Sequence, residues 1–178
     1  MTSERKTKTP GNTKIQKEEI KQMLFRTKKK KEEQEKKELL YRENIRVGCP
    51  VDTKENVIRA AGKMLVESGY VDASYVDAMI EREKTFSTYM GGGLALPHGV
   101  LEAKKAVKCS GISVMTFPEG IDWDGNEAHM VIAVAGVGDE HLEILAQVAE
   151  KMVDEESAAQ LMNGDVDTIY KILTGKEN

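Results

Sequence analysis

The sequence GGGLALPHG at residues 91–99 places a short apolar segment between three glycines and a Pro–His–Gly turn. Leu94 to Leu96 is short and apolar, as expected of a buried strand. Pro97 has no N–H to donate to a sheet, so we expect the strand to end there. Loops that follow strands are where α/β folds expose reactive side chains. The segment therefore predicts a buried strand that presents His98 at its exit.

Two helices are predicted before this strand. Asp52 offers an N-cap with Glu55 three residues later, which is the spacing of a capping box. Apolar residues then recur at helical spacing until Ser68-Gly69, where we expect the helix to end. The second helix is capped by Asp72 or Ser74 and ends around residues 83–85. The predicted apolar face of the first helix consists of Val57, Ile58, Ala61, Met64 and Leu65. That of the second helix consists of Tyr75, Val76, Met79 and Ile80.

The remaining elements complete a sheet and its cover. Three more strands are predicted, at residues 44–47, 112–117 and 130–135, with a turn at Pro118-Glu119-Gly120 after the second. A helix begins at Gly138-Asp139, and two short helices close the chain, the last near 166–173. In the helix that begins at Gly138-Asp139, the predicted inward residues are Leu142, Leu145, Val148, Ala149 and Met152. Helix pairs mixed with apolar strands predict an α/β (α+β) fold with helices around one sheet.

Charge divides the 178 residues into two parts. Residues 1–38 hold 13 Lys/Arg and 7 Asp/Glu, whereas residues 39–178 hold 13 and 23. The first part predicts a basic tail, disordered or partly helical, since it has too few apolar residues to bury much surface. A solvated linker is the simpler interpretation, and electrostatic contact with an acidic partner is the alternative. Four successive lysines at 28–31 without aromatic neighbours do not favour nucleic-acid binding.

Several classes of function are disfavoured. No apolar run reaches the roughly 18 residues that a membrane span needs, and the polar N-terminus is unlike a secretory signal, so we expect a cytoplasmic protein. The two cysteines, Cys49 and Cys109, form no Cys-x-x-Cys pair, which fits a reducing compartment and structural thiols. The sequence contains neither a P-loop nor a His-Glu-x-x-His motif, so we expect no nucleotide, metal or other cofactor.

Three residues are candidates for a reactive site. His98 lies between a proline and a glycine at a strand exit, and a neutral imidazole is a competent nucleophile near pH 7. His141 lies just inside a helix start, where free N–H groups favour an anion, although Asp139 and Glu140 would compete for them. Arg82 lies near the end of the second helix, and its guanidinium matches a phosphoryl group. Each also has a simpler interpretation, as a turn residue or a solvated charge. His129 and Trp123 are expected to be structural.

Five segments in order resemble the mannitol/fructose-type enzyme IIA of the bacterial phosphoenolpyruvate-dependent sugar phosphotransferase system, and its mannitol branch most. They are Arg-Glu-Asn-Ile-Arg at 42–46, Glu-Arg-Glu at 81–83, Leu-Ala-Leu-Pro-His-Gly at 94–99, Phe-Pro-Glu-Gly at 117–120 and Asp-Glu-His-Leu at 139–142. The resemblance covers about residues 39 to 175, and the tail has no counterpart in it. It implies a single mixed sheet flanked by helices.

The resemblance also implies an activity, that of a phosphotransferase in the form of a histidine phosphocarrier. It assigns the phosphorylated histidine to His98, with Nε2 as the reactive atom, and supporting roles to His141 and Arg82. The implied donor is the carrier HPr, and the implied acceptor is a cysteine on the IIB domain of a membrane permease. An apolar patch of Met90, Leu94, Leu96 and Val100 is our hypothesis for the surface that meets HPr.

Two alternatives stay open at this point. A IIA-type domain can act as a phosphorylation-dependent sensor that binds a regulator instead of a permease, because partner surfaces rather than the fold decide such roles. A fused IIB site at Cys49 or Cys109 is disfavoured, since neither cysteine lies in a Gly- and Ser-rich loop. The sugar is not encoded, because a IIA domain contacts proteins and not the carbohydrate.

Overall fold

The computed structural model describes residues 21–23 and 37–176, and its contacts divide the chain into units at 1–36 and 37–178. In the first unit Lys21–Met23 is helical, and the rest of the predicted tail lies outside the described residues. The second unit contains five strands, β1 Ile45–Arg46, β2 Tyr89–Gly91, β3 Leu94–Ala95, β4 Gly111–Trp123 and β5 Asn126–Ala135. Its helices are α1 Lys54–Glu67, α2 Ser74–Thr85, α3 Glu140–Val153, α4 Glu155–Asn163 and α5 Val166–Thr174, with 3₁₀ turns at Arg42–Asn44 and Leu101–Ala106.

The five strands form one mixed sheet in the order β1-β4-β5-β3-β2. The central pair, β4 and β5, is antiparallel, whereas β1 joins β4 and β3 joins β5 in parallel. Strand β2 pairs antiparallel with β3 and had not been predicted from the sequence. The α/β class with one mixed sheet, expected from the pattern and the resemblance, is confirmed.

Alternation along the two long strands makes two cores, since successive strand residues face opposite sides of a sheet. On one side Met115, Phe117, Val131 and Ala133 pack against α1 and α2. On the other side the alternate residues of the same strands pack against α3, α4 and α5. These residues are Ile112, Val114, Met130, Ile132 and Val134. The helices therefore cover both faces of the sheet, and β4 and β5 are buried on both sides.

The first helix differs from the prediction at its N-terminus. Thr53, not Asp52, is the N-cap of α1, and its hydroxyl accepts the N–H of Asn56. Asp52 instead accepts the backbone N–H of Thr53 and the side-chain amide of Asn56. At α2 neither Asp72 nor Ser74 is the cap, because the N-cap position is Ala73. The apolar face of α1 is buried as predicted.

The predicted turn at Pro118–Gly120 is wrong, because β4 continues through it. The pairing with β5 shifts between Thr116 and Ile121, which makes this segment a bulge. A bulge tolerates Pro118, since no ladder hydrogen bond is required there. The chain reverses instead at Asp124 and Gly125, with φ angles of 54° and 81°. Asp-Gly with two positive φ angles is the two-residue turn that suits a hairpin.

The predicted inward face of α3 needs one correction. Leu142 is 67% exposed, while Ile144, which was not predicted to face inward, is 5% exposed. In the described residues, none of the helices is long and apolar enough to cross a membrane.

The hairpin turn between β4 and β5 gives a test of stability. We expect Gly125→Ala to lower the free energy of unfolding by about 1 kcal/mol, because a Cβ is disfavoured at positive φ. No atom lies within 4 Å of the Cβ position, so backbone strain alone accounts for the loss. Urea unfolding of Gly125→Asn is the matched control, since Asn tolerates this conformation and should lose less. Equal losses in both variants would contradict this account.

Candidate functional site

His98 continues the line of β3 along the end of β5. Its position forms a parallel bridge with Val134, whose N–H donates to the carbonyl of Pro97 at 2.9 Å. The imidazole Nδ1 lies 2.7 Å from the carbonyl oxygen of Leu96. Because a carbonyl can only accept, Nδ1 holds the proton in the neutral ring, and Nε2 keeps its lone pair. The backbone thus fixes the tautomer of His98.

Tyr75 of α2 holds the backbone immediately after His98. Its hydroxyl accepts the N–H of Gly99 at 2.9 Å and donates to the carbonyl of Val134 at 2.8 Å. Burial raises the pKa of Tyr75, so the hydroxyl keeps the proton that it donates. A Cβ at Gly99 would lie 2.5 Å from the tyrosine ring, which explains the glycine after the histidine. The helical spacing predicted that Tyr75 is in the core but did not reveal this contact.

His141 reaches the same place from the first turn of α3. The chain leaves β5 through Gly136, where a Cβ would lie 2.4 Å from the Cα of His141. This close approach brings the His141 ring to 4.9 Å from that of His98, centroid to centroid, at 59°. The side chains of the two acids do not take the first-turn N–H groups in the described structure. The Asp139 side chain makes no cap hydrogen bond, and Glu140 accepts a hydrogen bond from Ser110. The backbone carbonyl of Asp139 does accept the N–H groups of Leu142 and Glu143.

Arg82 lies in the last turn of α2 and lines the same cavity as both histidines. Its guanidinium donates to the carbonyl of Phe86 at 2.8 Å, which orients the side chain. The three residues predicted from the sequence are therefore brought together. The cavity measures about 490 Å³ and is also lined by Gly99, Val100, Glu102, Lys104, Val107, Gly136, Gly138, Asp139, Leu142, Leu145 and Tyr75.

Glu83, next to Arg82, is a buried carboxylate whose role the sequence did not reveal. It accepts the indole N–H of Trp123 at 2.8 Å and the backbone N–H of Thr88 at 3.2 Å, and Lys54 lies 3.5 Å away. The carbonyl of Thr88 in turn accepts the N–H of Leu96 at 3.0 Å. Hydrogen bonds thus link the end of α2 to the strand that leads to His98. Trp123, expected to be structural, is fully buried and donates to this carboxylate.

Both site histidines are less basic than an ordinary histidine. Burial is the main cause that lowers the pKa of His98, and the positive charge of Arg82 lowers it further. The hydrogen bond to the Leu96 carbonyl acts in the opposite direction and raises this pKa. Burial is also the main cause of the lowered pKa of His141, followed by the charges of His98 and Lys104. Taking an imidazolium out of water costs more than taking a neutral ring. Both rings are therefore neutral at pH 7.

The hypothesis of an apolar patch made of Met90, Leu94, Leu96 and Val100 is wrong in part. Leu94 and Leu96 are each 1% exposed because both pack in the core between the sheet and α3, α4 and α5. Met90 is 58% exposed on β2 but does not line the cavity. The exposed apolar side chain at the cavity is Leu142.

The other histidine and the thiols lie outside this cavity. His129 Nδ1 is 3.1 Å from the carbonyl of Phe117, at the bulge of β4, as suits a structural residue. Cys49 and Cys109 are free and half-buried, and burial raises the pKa of Cys49. Within residues 21–23 and 37–176, His, Cys, Asp and Glu side chains form no group of three that would hold a metal ion.

Comparisons with known proteins identify a family of similar sequences and structures. Residues 38–176 match the family described as "Phosphoenolpyruvate-dependent sugar phosphotransferase system, EIIA 2". The mannitol-specific phosphotransferase enzyme IIA component of Halalkalibacterium halodurans is 48% identical over 125 residues, which cover 70% of this chain and 86% of the relative.

Two solved structures extend the comparison. Enzyme IIA of the mannitol system from Escherichia coli, solved in complex with phosphorylated enzyme IIB, is 37% identical with a TM-score of 0.71. The alignment covers 77% of this chain and 98% of that one. The nitrogen regulatory protein IIA-Ntr from Neisseria meningitidis is 26% identical with a TM-score of 0.67, over 76% of this chain and 97% of that one.

The lowered basicity of the two rings is open to direct measurement. We expect His98 and His141 to titrate below the usual histidine pKa of about 6.5 in an NMR titration of the imidazole protons. In His98→Gln the pKa of His141 should rise, because a neighbouring charge that opposes its protonation is removed. The His129→Gln variant identifies the signals of the third histidine, so that the remaining imidazole signals belong to His98 and His141.

The same shifts set the sign of a stability effect. Between the folded pKa values and about 6.5, the unfolded chain binds protons that the folded chain does not. The contribution of the two histidines to the free energy of unfolding should therefore fall as pH drops below about 6.5 and level off below their folded values, whereas acids with a lowered pKa, such as Asp52 and Asp165, continue to lower the stability at more acid pH. A site histidine that titrates above 6.5 would contradict both expectations.

Proposed function

We propose that this chain, which belongs to the EIIA 2 family of the phosphoenolpyruvate-dependent sugar phosphotransferase system, is a phosphocarrier that takes a phosphoryl group onto His98. The observation that supports this best is the hydrogen bond from Nδ1 of His98 to the carbonyl of Leu96. It leaves the lone pair on Nε2, in a ring that burial keeps neutral at pH 7. Such a ring is ready to act as a nucleophile.

The chemical step is an in-line transfer between two nitrogens. The Nε2 lone pair of His98 forms a bond to the phosphorus while the bond from phosphorus to the donor's imidazole breaks. The electron pair of that bond returns to the donor nitrogen. The proton on Nδ1 stays in place throughout, so the hydrogen bond to Leu96 holds the ring both before and after transfer. Positioning of this kind supplies much of the catalysis in phosphoryl transfer.

Arg82, His141 and the start of α3 serve the phosphoryl oxygens. The guanidinium of Arg82, oriented by Phe86, offers paired N–H donors to an anion. His141, about 5 Å from His98 between ring centroids, is neutral and can donate one hydrogen bond. The first turn of α3 adds the positive end of the helix dipole, while its N–H groups at Glu140, Leu142 and Glu143 already donate to backbone carbonyls. These groups stabilise charge that develops on the oxygens in the transition state.

The proposal extends to the partners. The donor is the histidine-phosphorylated carrier HPr, and the acceptor is a cysteine on the IIB domain of a sugar permease, with mannitol as the favoured sugar. The solved mannitol IIA from E. coli, with phosphorylated IIB bound, supports an acceptor of this kind. In onward transfer the thiolate attacks phosphorus, and the bonding electron pair returns to Nε2 of His98. Both reactions take place in the cytoplasm.

A regulatory role is the second candidate, and the likeness to IIA-Ntr of N. meningitidis favours considering it. Phosphorylation of His98 would then control the binding of a regulator instead of feeding a permease. Incubation of the ³²P-labelled protein with a mannitol IIB domain separates the two. Rapid transfer of label to IIB supports the carrier role. A stable label despite a reactive IIB control would favour the regulatory role.

The phosphorylation itself is tested with purified enzyme I, HPr and phosphoenolpyruvate. We expect intact mass at neutral pH to show one added phosphoryl group in the wild type and none in His98→Ala. His129→Ala is the matched control, because it removes a histidine outside the cavity and should be phosphorylated like the wild type. Acid should release the group, as is usual for phosphohistidine. An unmodified wild type would contradict the carrier role, and a modified His98→Ala would move it to another residue.

A further inference from the structure

We propose that Lys104 is a second cationic contact for the phosphoryl group on His98, beside Arg82. This inference rests on the proposed function and deepens it, since it concerns the same cavity. The sequence alone gave no reason to choose Lys104, which stands in a run of charged residues from 102 to 108. Its position in the fold separates it from the other lysines of that run.

The short helix that includes Lys104 is held at both ends. Before it, the N–H of Gly99 is bound by the Tyr75 hydroxyl at 2.9 Å. After it, the carbonyl of Ala106 accepts the N–H of Asp72 at 2.8 Å, and Val107 forms a bridge with Val71. Lys104 is thus presented to the cavity by an anchored 3₁₀ turn. Lys105, next in the chain, is exposed but does not line the cavity.

The balance of charge in the cavity calls for a second cation. Its lining includes the acids Glu102 and Asp139 and the cations Arg82 and Lys104, while the two histidines are neutral. A phosphoryl group brings a charge between −1 and −2 at neutral pH. With Arg82 alone, the group would enter a cavity that already holds more negative than positive charge. Lys104 restores the balance before the phosphoryl group arrives.

The two cations differ in freedom. Arg82 is oriented by its hydrogen bond to Phe86. Lys104 has no ion pair with the described residues, whereas Lys108 pairs with Asp72 at 2.6 Å. An ammonium on a flexible four-carbon stem can follow a group that moves, because it acts as a point charge without a fixed fork. Lys104 therefore suits a phosphoryl group that passes from one partner to His98 and on to another.

The position of Lys104 near His141 can be tested without phosphorylation of the protein. Its positive charge opposes protonation of His141 and lowers the pKa of that ring. Removal of the charge should raise the pKa of His141, and this effect needs neither HPr nor any phosphoryl donor. It therefore reports where Lys104 lies even if the proposed function fails.

Three variants test the inference: Lys104→Gln removes the charge, Lys104→Arg restores it, and Lys105→Gln is the matched control. In an NMR titration of the unphosphorylated proteins, we expect the His141 pKa to rise only in Lys104→Gln. In an equilibrium with HPr of known phosphorylation, we expect Lys104→Gln to hold about fivefold less phosphoryl group than the wild type, as for loss of one solvent-exposed charge contact. Lys105→Gln should behave like the wild type, and Lys104→Arg, which keeps the charge, should hold more phosphoryl group than Lys104→Gln.

Each outcome decides the matter. A His141 pKa in Lys104→Gln that is unchanged from the wild type would show that the ammonium does not face the site. A raised pKa with an unchanged phosphorylation equilibrium would overturn the phosphoryl contact while leaving the carrier role intact. If Lys105→Gln lost as much bound phosphoryl group as Lys104→Gln, the loss would be an effect of general surface charge and the proposed contact would be overturned. A wild type that takes no phosphoryl group would overturn the proposed function, and this inference with it.

Discussion

The antiparallel ladder between β4 and β5 is the interaction on which the rest of the structure depends. It joins the residues of both cores, because alternate side chains of the two strands face opposite helix layers. It also brings the site together. Near the end of β5, the N–H of Val134 donates to the carbonyl of Pro97, the residue before His98. The chain then continues from β5 through Gly136 into α3, which carries His141. Two histidines separated by 43 positions in the sequence therefore meet at the end of one strand.

Much of this was accessible from the sequence. Helical spacing identified the apolar face of α1, and the apolar runs located the cores of β3, β4 and β5. The ends of strands were harder, because the bulge near Pro118 has the composition of a turn while the true turn is only Asp124-Gly125. Short β2 has two exposed residues and no apolar pattern, so pairing with β3 rather than local preference makes it a strand.

The site was predictable to the extent that its residues stand in distinctive local segments. His98, His141 and Arg82 each met that condition, and the fold brings them to one cavity. Tyr75, Glu83 and Lys104 did not, since an apolar helix face and two charge runs predict them equally well as core or solvated residues. Their roles depend on contacts with residues at least five and as many as 59 positions away. No pattern within one element contains that information.

The combination of neutral rings and balanced charges bears on how a carrier works. A phosphocarrier must hold its group well enough to accept it, yet loosely enough to pass it on, since excess stabilisation of an intermediate slows the next step. Here the proposed nucleophile, His98, is kept neutral by burial, and the cations of the cavity are largely offset by its acids. Under the proposed function, the phosphoryl group would therefore meet directed donors from Arg82 and His141 without a large net positive field. Such a cavity favours the geometry of transfer more than it favours retention of the group.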